Sequence, residues 1–469
     1  MALSSALFSG ISGLGTLGNA MQIIGDNISN VNTIGFKGAT FTFQDLLSQA
    51  TSTMSGTSQV GRGVALGDIY SSFEQGSFES TGNTTDLAIG GQGFFSLREA
   101  ESDNLYYSRA GNFRFDQDGY LVNPEGYVVQ GWALDENGED IGSITDIRLD
   151  SFTSPPVASS RTTVITNLDS DAMSNYDSEL STAWDGDNDA GTFMDDANYE
   201  YQTTVKVYDS LGSTHDITYY FDPDATTGDW EYIVVCNPSE DQRVGATGND
   251  LGLLARGEIT FSSSSGTVTE LTMQVNDGTG TWSDATIDSA GYFNFQPNFG
   301  TGVADVQFDI GTRDSSGGAA ATPTWVNDSL TTTQFARAST TTFQAANGYG
   351  AGDLQSVNVD VDGVMTGVYS NGELIPLFRV ALAKFQNVQG LNKEGGNLFS
   401  ETRESGDAIT NRPGTNGLGD IAPNSLEQSN VDIATEFVRM ITTQRGFQAN
   451  GKIITVTDEM LSELINLKR

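Results

Sequence analysis

The two ends of this chain carry one pattern, and it constrains the fold more than anything between them. From Leu14 the apolar residues Leu14, Leu17, Met21, Ile24, Ile28 and Val31 follow at alternating steps of three and four, which paints one stripe along a helix. Near the other end Ala434, Phe437 and Ile441, then Ile453, Val456, Met460, Leu464 and Leu467, repeat it. Each such helix needs something to cover its stripe. An antiparallel pair meets that need within one chain, and copies meeting along the stripe meet it between chains.

The N-terminal helix is weak on its own. Gly10, Gly13, Gly15, Gly18 and Gly25 together cost about 4–5 kcal/mol of helix propensity relative to alanine. The first charged residue is Asp26, so residues 1–25 offer no ion pairs and no solubilising face. Glycines also let other backbones come close. These features favour a helix surrounded by neighbours, and hence self-assembly, over an intramolecular pair or a membrane-lying helix.

At 469 residues the chain has room for roughly two to four domains with proper cores. It has no run of eighteen uninterrupted apolar residues, so no membrane span is expected. Ser and Gly interrupt every apolar run before Met21, and no positive n-region precedes them. If the protein is exported, its start is expected to stay on it.

The formal charge of −39 is unevenly spread. Residues 1–50 hold only Asp26, Lys37 and Asp45, whereas residues 151–330 hold 28 acidic and 5 basic side chains, a net of −23. The ends are close to neutral and the middle is solvated and self-repelling. Nucleic acid is excluded as a partner for such a surface. One Cys and one His leave no disulfide and no imidazole pair, and no G-x-S-x-G, H-E-x-x-H or Walker sequence occurs. No catalytic residue, cofactor or metal is expected, and the chain reads as a non-enzyme.

In chain order, Asp26 to Lys37 is an asparagine-rich turn that ends the first helix, with Gly35 free to take positive φ. Residues 32–85 read as an extended, mostly irregular connector rich in Ser, Thr, Gly and Gln. Short β runs with Asp-Gly turns follow over 86–145 and return over 331–427, which predicts one discontinuous inner domain. Residues 146–330 then form an inserted acidic outer domain, β-rich, as one large or two small domains. The terminal helices are placed at 1–31 and 428–469. The fold class is α+β: a coiled-coil-like helical pair with discontinuous β-rich domains, antiparallel or barrel-like, between its members.

Three features invite chemistry. Asp185, Asp187 and Asp189, with Asp196 twelfth in the count, have calcium-loop spacing, but Ala190 stands where the turn wants glycine, so a solvated acidic loop fits better. Gly90-Gly91-Gln92-Gly93 and Gly61-Arg62-Gly63 read as turns and close approaches rather than phosphate loops. Cys236, in an apolar β run, reads as a small buried hydrophobe.

Asp26–Lys37, Ser429-Asn430-Val431-Asp432 and Met440–Asn450 resemble the paired terminal signatures of the bacterial flagellar rod and hook proteins. Thr85–Gly93 and Tyr107–Gly131 resemble the β domain these proteins share. Asn347-Gly348-Tyr349, Tyr369-Ser370-Asn371-Gly372 and Leu426-Glu427 lie on the hook side of that resemblance, and Val205–Gly212 is similar to the start of its outer domain. The resemblance covers roughly residues 1–145 and 330–469. It implies a structural subunit of the flagellar hook that assembles with copies of itself into a curved hollow helical tube, a flexible joint carrying torque from rod to filament. It further implies export without a cleaved signal through the flagellar type III apparatus to an extracellular position, and contacts with hook cap, distal rod and hook–filament junction proteins. A crosslink between Cys236 and Lys206 of a neighbouring copy is implied by spirochaete members. A distal rod subunit is the nearest alternative, lacking so large an insertion, and a secreted β-rich adhesin is a more remote one.

Overall fold

The structure, a computed structural model, describes residues 2–467 apart from 54–55, 101, 136, 189–190, 226, 228 and 319–322. The chain divides into two compact units: Met1–Phe152, Leu354–Val368 and Leu374–Arg469 form the first, Thr153–Asp353 with Tyr369–Glu373 the second.

In the first unit two terminal helices, α1 (Ala2–Ser29) and α2 (Ile433–Leu467), lie antiparallel. Gly10 faces Ile454, Gly13 faces Asn450 and Leu17 faces Gly446. The α1 helix ends where the Asn27 side chain turns away to pair with the backbone of Ala39, donating to its carbonyl and accepting from its N–H at 2.8 Å each. At the start of α2, Asp432 Oδ1 accepts the Thr435 N–H at 3.0 Å, an N-cap on an otherwise unpaired donor.

The stretch 32–85, read from sequence as a mostly irregular connector, is largely a paired ribbon. Ala39–Asp45 runs antiparallel to Val64–Ser71, and Gln49–Thr53 to Gly56–Val60. Thr40-Phe41-Thr42-Phe43 supplies the β-branched and aromatic residues that strands favour, beneath a polar composition that reads as loop.

Strands from either side of the second unit pair directly in the first. Val128–Leu134 takes Leu374–Val380 as a partner, with Gly131 opposite Val380, and Phe94–Arg98 takes Leu382–Lys384, with Phe95 opposite Leu382. Phe95, Leu97, Leu121, Val129, Met365 and Val380 are buried in their common core. The Asp116–Gly119 turn joins two short strands: Asp116 Oδ1 accepts the Tyr120 N–H at 2.8 Å, and Gly119 takes φ +83° beside the Leu149 carbonyl.

The second unit packs two sheets over one core. One is built on Arg161–Asp169, parallel to Val306–Asp309 and Thr333–Phe335 and antiparallel to Thr340–Ala346. The other runs through Tyr201–Tyr208, Thr214–Pro223, Trp230–Cys236 and Leu253–Phe261, all antiparallel. Val164 and Leu168 from the first meet Tyr219, Trp230 and Val234 from the second. The unit runs past residue 330 because Thr340–Ala346 returns to pair with Arg161–Asp169, placing Thr163 opposite Ala345.

Candidate assembly surface of the terminal helices

Apart from Ile24, the face that α1 buries is made of small and polar residues. Gly10, Gly13, Thr16, Ala20, Ile24 and Asn27 are buried at steps of three and four, against α2 and the ribbon. Ile24 alone belongs to the apolar stripe read from sequence; Leu14, Leu17, Met21, Ile28 and Val31 are half-buried beside it. Thr16 Oγ1 donates to the Val64 carbonyl at 3.2 Å and Ser12 Oγ accepts the Val64 N–H at 3.3 Å, which seats the ribbon on the helix.

On α2 the division is sharper. Glu436, Thr443 and Thr457 face inward and are buried, whereas Phe437, Ile441, Ile453, Val456 and Met460 are 39–50% exposed. Ile433, Val438 and Phe447 are exposed with them. The side chains of Leu464 and Leu467 lie outside the described residues. A helical pair would ordinarily turn its large apolar residues toward its partner, since burying one gains roughly 1.5–3 kcal/mol. Here the contact inside the subunit sets glycines and short polar residues beside Leu17 and Ile454, and the large residues of α2 named above are left on the outside.

The glycines divide in the same way. A Cβ on Gly10 would come to 3.1 Å from Ile454 and one on Gly13 to 2.7 Å from Asn450, so these two permit the close approach of α2. Gly15, Gly18 and Gly25 meet nothing within 4 Å.

At the foot of the helices is a cluster that sequence reasoning passes over. Lys37 Nζ lies 2.6 Å from Glu427 Oε1 and donates to the Glu74 carbonyl at 2.8 Å. Arg109 Nη1 is 3.3 Å from Glu427 Oε2, and Nη2 donates to the Gly91 carbonyl at 2.6 Å. Glu427 Oε1 also accepts the Gly76 N–H at 2.9 Å, and its backbone carbonyl accepts the Gly35 N–H at 2.7 Å. All three charged side chains are buried. Burial pushes the Lys37 amine and the Arg109 guanidinium below their ordinary values, although Glu427 pulls both upward. The signal available in sequence is Lys37 itself, the one basic residue among the first 50.

The remaining candidates are placed as follows. Gly91 and Gly93, at φ +128° and +136°, turn the chain between Leu87–Gly90 and Phe94–Arg98, and Gly63, at φ +114°, lies against Ser12. Asp185 Oδ1 accepts the Asp187 N–H at 3.3 Å, while Asp189 and Ala190 lie outside the described residues. Cys236 is buried, and burial pushes its thiol up to about 12. Cys236 stands opposite Ile217, which stands opposite Val205, so these share the core face; Lys206, one residue on, points to the other, exposed face. Among the described residues no helix is long and apolar enough to cross a membrane.

Four family models match in chain order: the flagella basal body rod protein over residues 7–37, the flagellar hook protein FlgE/F/G D1 domain over 88–165, the flagellar basal body protein FlaE D2 domain over 175–349, and the flagellar basal body rod FlgEFG protein C-terminal over 422–467. Paired terminal helices, a β-rich body and this order of matches define the class, the rod and hook proteins of the bacterial flagellum. The chain is 34% identical to the flagellar hook protein FlgE of Borreliella burgdorferi over 99% of both chains. It is 34% identical to that of Treponema pallidum, again over 99% of both, and 30% identical to that of Escherichia coli over the whole of both. The chain belongs to the flagellar hook protein family.

Proposed function

We propose that this chain polymerises with copies of itself into the curved hollow tube of the flagellar hook, with the apolar stripe of α2 and the open face of α1 as the contact between copies. The observation that carries this reading is the outward stripe of α2: Phe437, Ile441, Ile453, Val456 and Met460 are exposed while Thr443 and Thr457 are buried. The assembly seam comprises Leu14, Leu17, Met21, Ile28 and Val31 of α1 with Phe437, Ile441, Ile453, Val456, Met460, Leu464 and Leu467 of α2; Ile24, read from sequence as part of it, is buried inside the subunit and is left out. In a tube the terminal helices line the inner wall. Outer faces slide as the tube bends under torque while the inner wall holds.

The same reading takes the subunit as a structural protein without catalysis, exported unprocessed through the type III apparatus and added beneath a cap protein between the rod and the junction proteins. The size of the second unit and the names of the relatives favour the hook over a distal rod subunit.

Phe437→Asp with Ile441→Asp tests the seam. Both positions are exposed in the subunit, so the monomer's melting temperature should stay unchanged while tube formation is lost. Tubes formed at wild-type concentration would reject the seam.

The covalent link from Cys236 to Lys206 of a neighbouring copy requires the sheet to release a buried thiol held far above the range in which thiolates form at neutral pH. Polymers that run above monomer mass on a denaturing gel support it, and polymers that dissolve wholly to monomer reject it.

A further inference from the structure

We propose that Glu427 is the positioning residue of the terminal helices, the carboxylate that fixes how α1 and α2 leave the β-rich body and so whether subunits fit one another. The proposal rests on the assembly reading above. Four separate segments close on this one side chain. Lys37 brings the end of the turn after α1, Gly76 the return from the ribbon, Arg109 the β body, and Glu427 itself the lead into α2.

Close approach enforces the same convergence. A Cβ on Gly76 would lie 2.0 Å from the Gln428 carbonyl oxygen, and one on Gly35, at φ +68°, 2.6 Å from the Ala110 nitrogen. Asn430, a short step further on, accepts the Gly38 N–H at 2.9 Å and donates to the Ser72 carbonyl at 2.8 Å. Among the described residues, the main packing of α1 beyond the turns at this junction is on the ribbon and α2.

The chemistry makes the junction depend on charge as well as shape. Lys37 and Arg109 are two cations held out of water with one carboxylate between them. Removing the single anion of a buried cluster leaves uncompensated charge, which is far costlier than losing an exposed pair. Glu427 ends the short strand Ser425–Glu427, which pairs with Phe78–Ser80 in a two-stranded sheet apart from the large sheet of the first unit. Its loss should therefore be felt at the feet of the helices before it is felt in the sheets.

Glu427→Gln in the full-length chain keeps the shape and removes the charge. The expected result is a critical concentration for tube formation raised by about a hundredfold or more, with the monomer's β sheets still folded at the assembly temperature, although the first unit melts lower because two buried cations have lost their anion. Glu427→Asp, which restores the charge one methylene short, should recover part of the loss. Glu427→Gln tubes forming at the wild-type concentration overturn the proposal. Loss of the monomer's β signal under the assembly conditions also overturns it, because Glu427 would then be a fold residue only. Wild-type protein that forms no tubes in the same experiment overturns the assembly reading and this proposal together.

Discussion

Lys37 Nζ and Glu427 Oε1 lie 2.6 Å apart although they are 390 positions apart in the chain, and neither side chain is exposed. The contact ties the foot of the first helix to the foot of the last before either extends away. Whatever direction one takes, the other shares. A subunit whose two ends must enter one lattice needs that coupling, because ends free to move independently would lose the entropy of ordering both on every addition.

The open glycines of α1 give a two-sided test. Gly18 is exposed, and a methyl added there would meet nothing within 4 Å, so Gly18→Ala should raise the helix content of the monomer, by about 1 kcal/mol of propensity. If a neighbouring copy packs there, the same methyl should raise the critical concentration for assembly. Circular dichroism of the monomer and sedimentation of the polymer read the two effects. Opposite signs are expected, and improvement in both would remove close packing at Gly18.

Salt should govern assembly. Outer regions of net −23 brought side by side repel, and the Debye length falls from about 30 Å at 0.01 M to about 4 Å at seawater strength. The critical concentration should fall as salt rises from a few millimolar to about half molar. Equal assembly across that range would show that neighbouring acidic faces do not approach.

Acid should act on the two units in opposite senses and over different pH ranges. In the second, Asp222, Glu231 and Glu258 stand opposite one another on three adjacent strands, and burial pushes all three carboxyls above their ordinary values, with neighbouring carboxylates adding to the effect at Glu231 and Glu258. A raised folded-state value contributes stability that is complete below the unfolded value of about 4 and lost as pH rises through the raised one. The second unit should thus melt higher at about pH 5 than at about pH 8, and Glu231→Gln should shrink the difference. In the first unit the Arg98 guanidinium, 2.9 Å from Asp146 Oδ1 through Nε, holds that carboxyl below its ordinary value. Its contribution is present above about pH 4 and lost as pH falls through the lowered value, so Asp146→Asn should flatten the acid limb of the first unit's transition.

The terminal helices are legible in the sequence because a three-and-four spacing of apolar residues has one simple solution. What covers the stripe is not, since periodicity marks an apolar face without naming its partner. Inside the subunit α2 turns Thr443 and Thr457 toward α1, and Phe437 and Ile441 away from it. The ribbon is hidden because Ser, Thr and Gln count as loop by polarity and as strand by branching, and only the pairing of Phe41 with Ile69 and Thr40 with Tyr70 decides between them. The return of the chain at Thr340–Ala346 is hidden for a similar reason: a strand's partner lies far away in sequence and leaves no local trace. The Lys37–Glu427–Arg109 cluster joins three charges from distant segments, and only Lys37, isolated in a nearly uncharged stretch, stands out.

Hydrogen exchange along α2, compared between free subunit and assembled tube, tests the central claim most directly. If the outward stripe is covered by neighbouring copies, amides around Phe437, Ile441, Ile453 and Val456 exchange through local opening of the helix in the monomer and become much more strongly protected in the tube. Equal protection in both states would mean that the stripe gains no cover on assembly and plays no part in it.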